Sequence, residues 1–338
     1  MTADADVRPI EAIDCPDGLV PEGVLDSAEP VVLRGLIRDW PAVRQCSAST
    51  RAAARYLSRF WTNVPVTAYV GKASINGRFS YNEDFTGFNF DRGKATLSQI
   101  LDKLAESERE DRLSTIYVGS TPVDGWLPGF RADNDVALPV PDPLASFWLG
   151  NRARISAHFD FPDNLACVVA GARRFTLLPP DQIGNLYVGP LDPTPSGQAI
   201  SLVDFTDPDL TRHPRFAEAL QQARSAVLHP GDAVRIPSMW WHHIESLRCF
   251  NLLINYWWCT TPAAMGSPTD ALMHAILSLR DLPERQREAW RGLFNYYVFD
   301  ADEEVYRHIP ERGRGCLSTL DESGAKRLRA LLLNRLNR

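Results

Sequence analysis

Long apolar runs are missing from this 338-residue chain: no uncharged stretch approaches the ~18 residues that a bilayer-crossing helix needs. A membrane partner is therefore not expected. Paired cysteines are missing too. Cys15, Cys46, Cys167, Cys249, Cys259 and Cys316 stand singly without a C-x-x-C pair, which offers neither a zinc cage nor a disulfide framework and fits reduced thiols in the cytoplasm. A basic excess is also lacking, with 36 Lys+Arg against 42 Asp+Glu and a net charge of −6. That balance speaks against a nucleic-acid partner bound by phosphate neutralisation. The first residues, MTADADVRPI, hold no basic region followed by an apolar one, so no export signal is expected and a cytoplasmic location is. Histidine is scarce, at seven, so each one can be weighed.

What is present reads as strands with some helices. PVVLRGLI (30–37), VPVTAYVG (64–71) and STIYVGS (114–120) have strand character, and helices fit 48–60 and 95–106, where Leu97, Ile100, Leu101 and Leu104 recur at helical spacing. From about 145 to 260 the chain turns to short apolar strands broken by Gly and Pro: LACVVAG, RRFTLLPP, AVLHPGDAVRIP and FNLLINYWW. That density predicts a mainly β sandwich or barrel such as a jelly roll. A polar, Pro-rich loop is expected over 190–198. After Cys259 the pattern is helical. The last stretch, 326–338, sets Leu328, Leu331, Leu332 and Leu336 on one face among arginines, a face suited either to packing on its own barrel or to a homodimer.

His158-Phe159-Asp160 is the first chemical signal. On a strand, residues i and i+2 share a face, so the imidazole and carboxylate would converge. Alone it is weak, because 7 His and 42 acidic residues in 338 give about one such pairing by chance. Indeed His243-Ile244-Glu245 is another. A second element strengthens it: the segment from Gly231 through Ile236 and two tryptophans delivers His242 and His243, only one of which can point inward if alternation holds. Two histidines and one carboxylate on one face of a metal leave open positions, the arrangement of non-haem Fe(II) oxygenases. Asn164, Arg173 and Asn255 lie nearby in sequence. A buried arginine needs an anion, and its planar fork suits a carboxylate such as that of 2-oxoglutarate. A solvated strand end is the plainer alternative for Arg173 and Arg174.

The runs HFDFPDNLACVVAGARRFTLLPPDQIGNLY, SLVDFTDPDLTRHPRF, PGDAVRIPSMWWHHIESL and FNLLINYWW, with AEPVVLRGLIRDWPA before them, resemble the JmjC and cupin-like family of Fe(II)/2-oxoglutarate-dependent oxygenases, its asparaginyl hydroxylases in particular. The resemblance covers roughly residues 28 to 260. It implies a double-stranded β-helix (jelly roll) with flanking α-helices and a helical C-terminal extension, divided as 1–140, 141–260 and 261–338. It further implies His158, Asp160 and His242 as catalytic iron ligands, with His243 in a supporting role. Tyr117, Asn164, Arg173, Asn255 and Trp257 would surround 2-oxoglutarate, and dioxygen would be the third reactant. Two positions depart from the family pattern: Arg173 stands where the asparaginyl hydroxylases carry Lys, and Ile155 stands where the family offers Thr, with Ser156 beside it. The expected function is a dioxygenase that hydroxylates a protein or peptide side chain while 2-oxoglutarate becomes succinate and CO2. Two alternatives remain: a cupin-like binding module without turnover, and a metal cupin enzyme that does not use 2-oxoglutarate.

Overall fold

In a computed structural model, residues 7–107, 114–195, 197–262 and 264–337 are described, and the chain divides into two compact units, 1–259 and 260–338. The first unit is mainly β. Its larger sheet has nine strands in the order Glu11–Asp14, Val31–Arg34, Ala233–Ile236, Asp163–Ala170, Asn251–Trp258, Leu144–Gly150, Thr115–Pro122, Val66–Gly71, Phe90–Ala95. The smaller has six: Arg8–Pro9, Arg224–Leu228, Arg173–Leu178, Trp241–Ser246, Arg154–His158, Arg78–Phe79. The eight strands between residues 144 and 258 pair antiparallel and divide four to each sheet, which is the jelly roll expected from sequence.

Strand Asp163–Ala170 shows why the sheets stack this way. Successive side chains of a strand point to opposite faces. Leu165, Cys167 and Val169 join the cluster that includes Leu57, Leu101 and Leu104 of the flanking helices. Ala166 and Val168 join Phe175, Leu177, Val234 and Ile236 between the sheets. Both faces are covered, so the strand reads as an unbroken apolar run rather than an alternating one. Helix Thr50–Leu57 is started by Ser49, whose hydroxyl accepts from the Ala52 amide at 3.1 Å. Helix Leu97–Ser107 buries Leu97, Ile100, Leu101 and Leu104 on one side. Each fully buried leucine contributes roughly 1.5–3 kcal/mol.

Two local expectations are corrected. AVLHPGDAVRIP is not one strand: Arg224–Leu228 lies in the smaller sheet and Ala233–Ile236 in the larger. The break is a turn in which Gly231 takes φ +102°, a conformation that favours glycine. Asp232 fixes it by accepting from the amides of His229 and Gly35 and from Arg34 at 2.7 Å. Nor does the chain run straight from Ile236 to His242. It crosses between sheets at 237–240, where Met239 has φ +67°.

The second unit contains helices Pro268–Leu279, Glu284–Phe294 and Glu322–Leu336. Asp321 caps the last of these, accepting from the Gly324 amide at 2.6 Å. Among its described apolar residues only Val305 and Ala325 are buried, while Leu277, Phe299, Leu331, Leu332 and Leu336 are exposed. No helix among the described residues is long and apolar enough to cross a membrane.

Candidate functional site

His158 closes its strand and His242 is the second residue of the neighbouring one, and the two are direct antiparallel partners. Their ring centroids are 4.3 Å apart. Asp160 is not on the strand as the i, i+2 argument required: the strand stops at His158. The chain instead turns, and the Met239 amide donates to the Asp160 carbonyl at 2.9 Å. Ser238 donates from its amide to Asp163 and from its hydroxyl to the Phe161 carbonyl. These bonds tie the inter-sheet turn to the segment after His158. As a result one ligand-type atom from each of His158, Asp160 and His242 falls within 4.8 Å of the others.

The imidazoles are held with Nε2 available. In each, Nδ1 lies 3.0 Å from the backbone carbonyl two residues before it, Ser156 for His158 and Trp240 for His242. A carbonyl can only accept, so Nδ1 carries a proton in each ring, which in the neutral tautomer leaves the Nε2 lone pair facing the cluster, the usual support of a metal-binding histidine. Burial, then the adjacent His158, pushes the His242 pKa down to about 4, against the opposing pull of Asp160 3.6 Å away. His242 is thus neutral at pH 7, as a metal ligand must be. His243 points the other way, against the Phe205 ring at 4.7 Å, as alternation predicted. Its pKa is pushed down to about 3, chiefly by burial.

These groups open onto a cavity of about 280 Å³ between the sheets. Arg173 lines it and is 1% exposed, not at a solvated strand end. Its guanidinium donates to the Trp148 carbonyl at 3.3 Å and to the Tyr117 hydroxyl, while Nε has no partner. No carboxylate pairs with it among the described residues, and burial lowers its pKa. Burial likewise raises that of Tyr117 well above the usual phenol range. The cavity therefore holds a desolvated cation whose natural complement is an anion. Asn164, Asn255 and Trp257 also line it. Ile155 contributes only apolar wall, and the Ser156 hydroxyl donates to the Phe79 carbonyl at 3.3 Å.

Trp148, which sequence reasoning missed, organises the wall. Indole N–H can only donate, so its 2.6 Å bond fixes Oδ1 of Asn255 as acceptor. Asn255 Nδ2 then donates to Asn164 Oδ1 at 3.3 Å, leaving the Asn164 amide N–H2 for the cavity. The Trp148 ring also packs against Tyr117 and edge-on to Trp257. Its strand, LASFWLG, does carry a short run of large apolar residues, Phe147 to Leu149, that could have marked it. Phe79, Arg92 and Ser120 were also missed, and no motif in the sequence points to them.

Residues 19–264 match the model of the cupin-like domain. The chain belongs to the cupin-like domain family. Among curated proteins, this cupin-like chain is 36% identical over 114 residues to Lysine-specific demethylase JMJ31 of Arabidopsis thaliana, covering 33% of this chain and 20% of that protein. It is 28% identical over 166 residues to tRNA wybutosine-synthesizing protein 5 of Gallus gallus, covering 45% and 48%. It is 24% identical over 259 residues to human Bifunctional peptidase and (3S)-lysyl hydroxylase JMJD7, covering 68% and 77%. The first two matches thus span half or less of those relatives. The cupin-like match includes all three residues of the His158, Asp160 and His242 cluster.

Proposed function

We propose that the protein is an Fe(II)- and 2-oxoglutarate-dependent oxygenase that hydroxylates a protein side chain. One observation carries this reading: the His158, Asp160, His242 cluster shares its cavity with a fully buried arginine that has no carboxylate of its own. The donor set of two neutral nitrogens and one carboxylate suits Fe(II) and leaves positions for further ligands. Bound iron would supply the dioxygen activation that couples decarboxylation of 2-oxoglutarate to hydroxylation of a C–H bond. The protein's part is positional. Arg173 and Tyr117 hold the distal carboxylate, with Arg173 in place of Lys and with no hydroxyl contributed at Ile155. The Asn164 amide donates toward the proximal end, its orientation set by Asn255 and Trp148, and Trp257 walls the other side. The named hydroxylase and demethylase relatives support oxidation of a protein residue. They do not single out asparagine as the target.

The test is anaerobic addition of Fe(II) and 2-oxoglutarate, followed by admission of air. A visible charge-transfer band and then succinate are expected from the wild type and not from Asp160→Ala. Absence of both in the wild type, with metal still bound, would leave a metal cupin that does not use 2-oxoglutarate.

We also propose that the second unit pairs with a second copy of the chain. Among its described apolar residues only Val305 and Ala325 are buried, too few for an independent core. Light scattering should give a dimer mass, and Leu332→Glu with Leu336→Glu should give a monomer.

A further inference from the structure

We propose that the mouth of this cavity is an anion subsite for the protein substrate, with Arg92 supplying the charge and Ser120 a hydroxyl, so that the oxidised residue is flanked by an acidic side chain. The proposal rests on the oxygenase reading and extends it to the substrate.

Its basis is the charge lining the cavity. Besides the two ligand imidazoles, the ionic groups are Asp160, Arg173 and Arg92. A divalent ion and Arg173 supply three positive charges, while Asp160 and a dicarboxylate supply three negative ones. The inner site is therefore neutral without Arg92, whose charge is left over. The Arg92 side chain is exposed and makes no ion pair or hydrogen bond among the described residues. It sits on Phe90–Ala95, the last strand of the larger sheet, sharing with Phe90 the face that lines the cavity and lying opposite Tyr69 on the next strand. Alternation sends its acidic neighbour Asp91 to the other face.

An independent feature aims a second polar group at the same space. The pairing of Thr115–Pro122 with Leu144–Gly150 shifts register between Val118 and Thr121, a bulge of the kind that re-aims side chains. Within it Ser120 has φ +45°, a left-handed conformation unusual for a residue with a side chain. Gly119 beside it can carry no Cβ, which would lie 2.9 Å from the Trp148 ring. Ser120 lines the cavity, is exposed and has no hydrogen-bond partner among the described residues. Strained residues of this kind cluster at ligand sites. A single cation and one hydroxyl suit a carboxylate or phosphorylated side chain, whereas a polyanion would need a basic field that this chain of net charge −6 does not provide.

The experiment uses the full chain loaded with Zn(II) and 2-oxoglutarate, so that binding is read without turnover. Peptide libraries with a randomised centre flanked by Asp, Ala or Lys are compared by retention, with a structured RNA oligonucleotide alongside. The Asp-flanked library should be retained about tenfold over the Lys-flanked one. Arg92→Glu should reverse the order, and Arg92→Lys should keep it. Equal retention of the libraries, retention of none, an unchanged order in Arg92→Glu, or preference for the RNA would overturn the proposal. Succinate formation by the wild type in air separates the two levels. If it occurs and no acidic preference appears, only this inference fails; if it does not occur, the oxygenase reading fails.

Discussion

Replacing Arg173 with Met should make the ligand-free protein more stable and abolish its response to 2-oxoglutarate. The guanidinium is 1% exposed, without a counter-ion among the described residues, and Nε is unbonded. Such a charge costs several kcal/mol to bury. Against that stand its hydrogen bonds to the Trp148 carbonyl and the Tyr117 hydroxyl, each contributing about 1 kcal/mol, somewhat more for a charged donor. Met fills a similar length with apolar atoms and removes both terms. The net expectation is a gain of ~1–3 kcal/mol, which for a unit of this size raises the melting temperature by roughly 2–8 °C. Ligand at about 100 times its dissociation constant should stabilise the wild type by a further ~2.7 kcal/mol, and that increment should vanish in the variant. Thermal unfolding with Zn(II), with and without 2-oxoglutarate, reads both. A fall in the melting temperature of ligand-free Arg173→Met would show that the arginine is a structural member of the core. A retained ligand shift would show that the anion binds elsewhere.

Asp160→Ala should lose metal in equilibrium dialysis, whereas His243→Phe, which exchanges one ring for another beside Phe205, should retain it; the reverse pattern would mean that the wrong histidine faces the cavity. Stability should fall as pH is lowered. His242 and His243 take up protons only near pH 4 and 3 in the fold but near 6.5 when unfolded, so the unfolded chain binds the extra protons. Each imidazole should add up to about a tenfold rise in the unfolding constant per pH unit between 6.5 and its folded pKa, readable by urea titrations of the metal-free protein at successive pH values. A flat profile from pH 6 to 4.5 would contradict the buried neutral state. Trp148→Phe should cost ~1–2 kcal/mol through the acceptor left unpaired on Asn255 and weaken 2-oxoglutarate binding about tenfold in calorimetry; unchanged binding would dissociate the amide orientation from the co-substrate.

The parts of the site that could be read from sequence are those fixed by strand periodicity. His242 and His243 point to opposite faces because alternation holds through Trp241–Ser246, and His242 and Ile244 both line the cavity. Strands with apolar residues on both faces, such as Asp163–Ala170, were legible as apolar runs. What failed was continuity. Gly231-Asp232 looks like a turn within one strand, yet it moves the chain from one sheet to the other, and so does the short crossing at 237–240. Both changes depend on partners remote in sequence, Arg34 and Gly35 for Asp232, and Asp160 to Asp163 for the crossing. No local pattern encodes them.

The same remoteness explains how His158 and Asp160 come together without the strand pleat that the i, i+2 spacing invoked. A strand would have set the carboxylate by its pleat alone, with no need of the other sheet. Here Asp160 lies past the strand end and is placed by the crossing segment, which Arg235 anchors by pairing with Asp163 at 2.8 Å and donating to the Leu25 carbonyl. Arg235 is itself 3% exposed, so the pair must be kept together, since removing one partner strands the other charge at roughly 3–5 kcal/mol. The geometry of the His158, Asp160 and His242 cluster is therefore coupled to the folding of both sheets. His158 ends one strand, His242 lies near the start of another, and Asp160 sits in the loop that passes from the smaller sheet to the larger. A chain that folded one sheet without the other would bring His158 no carboxylate, so any metal affinity of the proposed site would report on closure of the whole jelly roll.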